Sequence, residues 1–184
     1  SHTGLKADYA FCEKQSVMFA IMNPTDFTEM NDVDLYTYGL QYGYGDTYLN
    51  LLFGKQSIDA SPTFQIDLTG SYQLGKTTGL GINASYNETP SAGGFYGLAF
   101  YPSKTIKDQF AIGLRAEFFQ ELDAGGPAYG AGNTTFDFTL TGSYETDELR
   151  LILECRLDQS SVPQFNEMTT DKLASFLIAA VYQF

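Results

Sequence analysis

The chain has 184 residues and a formal net charge of −12, and only 17% of its residues are charged, against about 25% in soluble domains. Tyr and Phe are abundant at 13 and 15, Gly is high at 18, and Trp is absent. The acidic balance argues against nucleic acid as a partner, because phosphate binding needs clustered Lys and Arg. No run reaches the roughly 18 consecutive apolar residues of a transmembrane helix.

Eleven segments alternate apolar and polar residues with a period of two, and helical periodicity appears nowhere over a useful length. They cover 4–12, 16–23, 34–44, 47–56, 62–74, 78–88, 93–101, 108–119, 134–145, 148–159 and 171–184. Most of them exceed the roughly five or six residues of soluble strands and suit a tilted strand that crosses a bilayer. The pattern predicts an all-β fold, an antiparallel up-and-down transmembrane barrel, with about 11 strands in a single domain over 1–184.

The connections between these segments alternate in length. Short ones are predicted at 13–15, 45–46, 75–77, 102–107 and 146–147, and mostly longer ones at 24–33, 57–61, 89–92, 120–133 and 160–170. Short turns on one side and long loops on the other are typical of an outer-membrane barrel. Gly45-Asp46 and Thr146-Asp147 suit two-residue hairpins, since Gly can take a positive φ.

Each clear segment has one apolar and one polar face. Leu68, Leu114, Leu140 and Leu151 are predicted to face lipid, and Asp67, Arg115, Thr139 and Arg150 to face inward. An Arg that pointed into lipid at the midplane would cost about 2–4 kcal/mol, so the charged face must line a lumen. The predicted pore-lining residues are Gln65, Asp67, Gln73, Asn83, Arg115, Glu117, Asp137, Arg150, Glu154 and Arg156. The charges among them form either a salt-bridged plug that stiffens the wall or a constriction with a transverse field, and both can hold for one ladder.

Four pieces of the sequence carry a family resemblance: 4–9 (GLKADY), 108–119 (DQFAIGLRAEFF), 151–160 (LILECRLDQS) and 182–184 (YQF). Together they resemble the C-terminal portion of the OmpL-like putative β-barrel porin family of Gram-negative outer membranes. The resemblance implies a porin in the bacterial outer membrane and supplies no catalytic residues.

The last segment ends on Phe184 after alternating apolar residues, which is similar to the closing strand that assembly factors recognise in outer-membrane barrels. The expected partners are therefore the barrel-assembly machinery, outer-membrane lipids, and a homo-oligomer or larger envelope complex. If this strand ends in the periplasm and consecutive strands alternate in direction, the first of the eleven segments, 4–12, begins at the outer surface. Barrels normally begin in the periplasm and have an even number of strands, so we expect at least one strand before Ser1 and a barrel of twelve or more.

Residues for catalysis or metal binding are few. The single His is His2 at the terminus, so nucleophile activation has no base within the fold, and neither an enzyme nor a cofactor is expected. Cys12 and Cys155 fall on opposite faces of their strands and are predicted to be unpaired. One acidic loop offers oxygen ligands for calcium, namely Asp26, Glu29, Asp32 and Asp34. Its spacing does not match an EF-hand, and a solvated acidic loop is the plainer interpretation.

The sequence predicts an outer-membrane porin that passes small hydrophilic solutes by diffusion. The alternatives are a non-conducting barrel that acts as an anchor or envelope subunit, and a secreted β-sandwich with its apolar faces packed together. The long loops carry one basic residue, Lys172, and seven acidic ones: Asp26, Glu29, Asp32, Glu121, Asp123, Glu167 and Asp171. We therefore expect an electronegative outer mouth and a mild cation preference that fades as salt rises.

Overall fold

A computed structural model of the chain describes residues 3–29, 31, 34–90, 92–122 and 131–183. The strands in these ranges are β1 (Gly4–Cys12), β2 (Gln15–Met22), β3 (Thr37–Tyr44), β4 (Thr47–Gly54), β5 (Thr63–Gln73), β6 (Thr78–Thr89), β7 (Gly93–Lys107), β8 (Phe110–Glu121), β9 (Thr134–Glu145), β10 (Leu149–Ser160) and β11 (Lys172–Tyr182). They form one sheet in the order β1 to β11, so every strand pairs with its neighbour in sequence. The predicted all-β, up-and-down antiparallel topology is confirmed. The described ranges contain no helix that is long and apolar enough to cross a membrane.

The strand boundaries agree with the predicted segments to within a few residues, except at β7. The sequence predicts a turn at 102–107, which is wrong, because β7 continues to Lys107 and the connection lies at 108–109. The Thr105 amide donates to the Thr77 carbonyl at 2.8 Å, so this segment is paired although it contains Pro102. Pro is tolerated in a strand where its missing N–H would not have been part of the ladder.

The chain divides into two compact units. Unit 1 consists of residues 1–70, 83–96 and 121–132, and unit 2 of residues 71–82, 97–120 and 133–184. Strands β1 to β4 lie wholly in unit 1 and β9 to β11 wholly in unit 2, while β5 to β8 contribute residues to both, β8 only through Glu121 in unit 1.

The connections keep the predicted alternation, with one exception. The short connections between strands are 13–14, 45–46, 74–77, 108–109 and 146–148, and the longer ones, parts of which lie outside the described ranges, are 23–36, 55–62, 122–133 and 161–171. The exception is 90–92, which is short although its place in the alternation predicts a loop. At the 45–46 turn Gly45 has φ 56°, which is the positive φ that the hairpin prediction requires.

Burial is inverted relative to a soluble protein. In unit 1, Thr37 and Thr63 are buried, and in unit 2 the buried side chains include Thr139 and Asp158. The buried hydrophobic residues in the described ranges are Ala20 and Ala99, and large apolar side chains are exposed instead. These include Tyr38, Phe53, Leu114, Phe138, Leu140, Leu151 and Leu153. Neither unit buries its apolar face, so the soluble β-sandwich alternative is wrong.

The alternation is clearest in β8, β9 and β10. Leu114, Leu140 and Leu151 are exposed on one face, and Thr139 is buried on the other. Arg150 departs from the inward pattern, since its side chain is 51% exposed near the end of β10. Glu121, predicted to be one of the long-loop acids of the outer mouth, is instead the last residue of β8 and is fully buried.

Candidate functional site

The polar face of unit 1 carries a hydrogen-bonded chain of side chains across four adjacent strands. Gln41 Nε2 donates to Asn50 Oδ1 at 2.7 Å, and Asn50 Nδ2 donates to Asp67 Oδ2 at 3.1 Å. Asn83 Nδ2 donates to the other oxygen, Asp67 Oδ1, at 2.9 Å. We call Gln41, Asn50, Asp67 and Asn83 the amide ladder. Each carboxylate oxygen of Asp67 accepts a hydrogen bond from an amide. Neutral donors therefore stabilise this charge, and no cation among the described residues pairs with it.

The alternation in the sequence predicts Asp67 and Asn83 of this ladder as pore-lining residues, but not Gln41 and Asn50. The register places Gln41 directly opposite Asn50, and Asn50 directly opposite Asp67. A two-residue turn at 45–46 fixes the first of these pairings, because residues equally far from the turn face each other. The predicted hairpin therefore contained the signal that could have found both residues.

The amide ladder borders a groove of about 300 Å³ on the same face. Ala20 and Gly39, which lie opposite each other on β2 and β3, line its floor, and these small residues leave space there. Met18 and Met22 contribute apolar walls, and Asp67 contributes the charge. Such a surface offers both hydrogen-bonding and apolar contact to a small solute.

The polar face of unit 2 carries two charged rows across β8, β9 and β10. Arg115, Thr139 and Arg156 are cross-strand neighbours and form the arginine row. Glu117, Asp137 and Asp158 are neighbours in the next row, the acid row. Successive residues on one face are two positions apart, so the rows are separated by about 6.6–6.8 Å. Three carboxylates thus face two guanidinium groups.

Arg156 is shared by two buried acids. Its Nε donates to Asp158 Oδ1 at 2.7 Å, and its Nη2 lies 3.5 Å from Asp137 Oδ1. The Asp137 and Asp158 side chains are 10% and 7% exposed, whereas that of Arg156 is 36% exposed. Like charges directly opposite each other destabilise a sheet. The guanidinium therefore offsets a repulsion that the register itself creates.

Arg115 has a separate set of partners. Its Nη2 donates to Glu117 on the same strand, and its guanidinium lies over the Tyr101 ring, 5.9 Å from the centroid. Its Nε is buried and has no hydrogen-bond partner among the described residues. Arg115 is thus held at two points, and one of its donors is unused.

Glu154 lies on the other side of the arginine row. Its neighbour across the sheet is Thr141, whose hydroxyl donates to Glu154 Oε2 at 3.1 Å. Within the described part of the chain, no Lys, Arg or His forms an ion pair with Glu154. Glu154, Thr141, Arg115 and Arg156 all line a depression of about 270 Å³.

A comparison with protein families matches residues 1–184, the whole chain, to the family described as "Putative beta-barrel porin-2, OmpL-like". The chain belongs to this family. The predicted resemblance to OmpL-like porins is confirmed. A comparison with curated proteins finds no match. In a β-barrel porin the polar face of each strand is turned to the lumen and the apolar face to lipid, which is the division of burial that each unit shows.

Not every predicted pore-lining residue of this OmpL-like chain joins these clusters. Gln65 lies beside the amide ladder and accepts from Asn87 Nδ2 at 3.2 Å. Gln73 is exposed, and its amide donates to the Gly75 carbonyl at 2.7 Å in the 74–77 turn. Arg150 pairs with Glu145 at 3.9 Å, and both side chains are more than half exposed. Gln73 and Arg150 therefore lie near strand ends, and their role as pore-lining residues stays a prediction.

The remaining predicted sites of the OmpL-like chain are the acidic loop and the cysteines. No cluster of three or more His, Cys, Asp or Glu able to hold a metal occurs in the described ranges. Asp32 lies outside those ranges, so the calcium loop stays a prediction. Asn31 belongs to the same part of the sequence, and its side-chain amide donates to the Leu35 carbonyl at 2.7 Å. Cys12 and Cys155 are free and exposed, which confirms that they are unpaired.

Proposed function

We propose that this chain forms part of an outer-membrane pore through which small hydrophilic solutes diffuse. One observation carries the proposal: side chains that a soluble protein exposes are buried here, and those that it buries are exposed. An apolar outer face has a favourable environment in the hydrocarbon core of a bilayer. The polar inner face then has a favourable environment in a water-filled lumen.

Three further features support the outer membrane of Gram-negative bacteria as the location. The family is one of β-barrel porins. The strands from β5 to β11 are long enough to cross a bilayer when tilted. Short turns alternate with mostly longer loops, as in bacterial barrels. We assign no enzymatic role, and the expected partners are outer-membrane lipids and the barrel-assembly machinery, with recognition through the C-terminal strand and its last residue, Phe184.

Planar-bilayer recording tests the diffusion pore directly. Purified protein should give stepwise conductance that rises in proportion to salt concentration, because a water-filled lumen conducts as its bathing solution does. Recording with a salt gradient should show mild cation preference that fades as salt rises and the Debye length shortens from about 10 Å at 0.1 M to 3 Å at 1 M. Glu167 and Asp171 are the described loop acids nearest the last strand. A reversal potential of the anion-selective sign would contradict the acidic-mouth hypothesis.

A non-conducting barrel is the second candidate, and one observation favours it. The inner side chains of each unit bond to one another, through the amide ladder in unit 1 and the charged rows in unit 2. Inner side chains that are satisfied by one another have less need of water in a lumen, which suits a barrel that is not open. Protein that inserts into the bilayer but gives no conductance steps would establish this anchor or envelope-subunit role in place of the porin.

A further inference from the structure

The depression in unit 2 owes its space to Gly113. On β8 this residue lies opposite Thr141 on the polar face, and a Cβ built at Gly113 would meet nothing within 4 Å. The depression of about 270 Å³ is bordered by the side chains of Tyr101 and Ser103 as well as by Thr141. One water occupies about 30 Å³ of liquid volume, so the space admits a molecule of several heavy atoms. We call it the Gly113 depression.

Opposite charges lie on two sides of this depression. Arg115 and Arg156 line it from the arginine row, and Glu154 lines it one row away. The Nε of Arg115 is a buried donor with no partner among the described residues. Glu154 accepts one hydrogen bond, from the Thr141 hydroxyl, and forms no ion pair with a cationic side chain in the described ranges. Two guanidinium groups and a carboxylate without an ion-pair partner in the described ranges therefore line the same space.

These groups select the chemistry of a ligand. An anion would meet the guanidinium groups but would be repelled by Glu154 and by the acid row. A cation would meet Glu154 but would face two guanidinium groups. A neutral polyol would compensate neither charge. A molecule that carries a carboxylate and an ammonium group close together satisfies both sides at once.

We propose that the Gly113 depression binds small zwitterions of the amino-acid type, and this rests on the proposed function in that the ligand reaches the site through the lumen. The carboxylate of the ligand meets the arginine row and its ammonium group meets Glu154. Binding is shallow and reversible, since both arginine side chains are 36% exposed and already paired with acids. A solute held so loosely still passes.

Ligand-observed NMR on protein refolded in detergent measures binding without requiring a conducting pore. L-threonine should bind more tightly than each of three comparison compounds. These are N-acetyl-threonine, which has only the negative charge, threonine amide, which has only the positive charge, and erythritol, which has neither. Glu154→Gln should weaken threonine binding by about threefold, the scale of one partly exposed ion pair. The same substitution should leave erythritol binding unchanged.

Gly113→Leu fills the depression and should abolish threonine binding. Gly142→Leu is the matched control, because Gly142 also has nothing within 4 Å of a built Cβ but lies on the opposite, apolar face of β9. Heat-modifiable migration in gels checks that each variant is folded, and Glu154→Gln decides if Gly113→Leu does not fold. N-acetyl-threonine binding as tightly as threonine, or threonine binding that Glu154→Gln does not weaken, overturns the inference. Zwitterion binding without conductance supports the zwitterion site and contradicts only the diffusion pore. Conductance without zwitterion binding supports the diffusion pore and contradicts the zwitterion site.

Discussion

The shared guanidinium of Arg156 makes a sharp prediction about stability. Replacing it by Gln removes the positive charge from between Asp137 and Asp158, which are directly opposite each other on β9 and β10. Directly opposed side chains have Cβ atoms about 4.5–5.5 Å apart. At about 5 Å and an effective dielectric constant of about 20, two unit charges repel by about 3 kcal/mol.

The partial exposure of Arg156 reduces this figure, because solvent already screens part of its interaction. We therefore expect Arg156→Gln to lower the free energy of unfolding by about 2 kcal/mol, below the 3–5 kcal/mol cost of breaking a fully buried pair. Urea unfolding in lipid vesicles measures the change. It should be followed by circular dichroism, since the chain has no Trp.

Two further variants separate charge from loss of packing. Arg150→Gln removes another arginine of β10, whose partner Glu145 lies 3.9 Å away with both side chains mostly exposed. It should cost less than about 0.5 kcal/mol. Adding Asp137→Asn to Arg156→Gln should restore at least half of the lost stability, because one of the two opposed charges is then gone. Equal losses for the two arginine variants, or a further loss on adding Asp137→Asn, would refute the electrostatic explanation.

Three other predictions concern separate parts of the sheet. Asp67→Asn should cost about 1–3 kcal/mol of unfolding free energy in the same assay, since the new amide presents an N–H to one of two amide donors. Gly45→Ala should cost about 1–2 kcal/mol because its φ is 56°, whereas Gly75→Ala, at a glycine without positive φ, should be near neutral. Cys155 should resist a charged maleimide in lipid vesicles and react after unfolding in detergent; rapid labelling in vesicles would place its face in water.

Much of the fold follows from the sequence because a β-strand repeats every two residues and the faces differ in polarity. The alternation in 108–119, 134–145 and 148–159 locates β8, β9 and β10 to within a residue or two. The pattern fails at β7, where Pro102 and two lysines imitate a turn, although hydrogen bonding to the neighbouring segment continues the strand. Local composition cannot reveal a pairing that depends on residues elsewhere in the chain.

The candidate site was only partly predictable for the same reason. Arg115, Glu117, Asp137 and Arg156 were identified as inward-facing, but their grouping into rows depends on the register between strands. The turns set that register, and the sequence pattern predicts the turn before β8 at 102–107 instead of 108–109. Glu121 shows a different error, since the predicted loop 120–133 includes it among the acids of the outer mouth, whereas it is buried at the end of β8.

The inverted burial has a calorimetric consequence. Exposing apolar surface to water raises the heat capacity, by about 0.45 cal/K/mol per Å², and exposing polar surface lowers it by about 0.26. Unfolding in detergent leaves the apolar faces in contact with the micelle and exposes to water mainly the threonines and carboxylates that were buried. The heat-capacity change should therefore be small or negative, unlike the large positive value of soluble domains. The stability of this sheet should then vary almost linearly with temperature, and cooling should not unfold it.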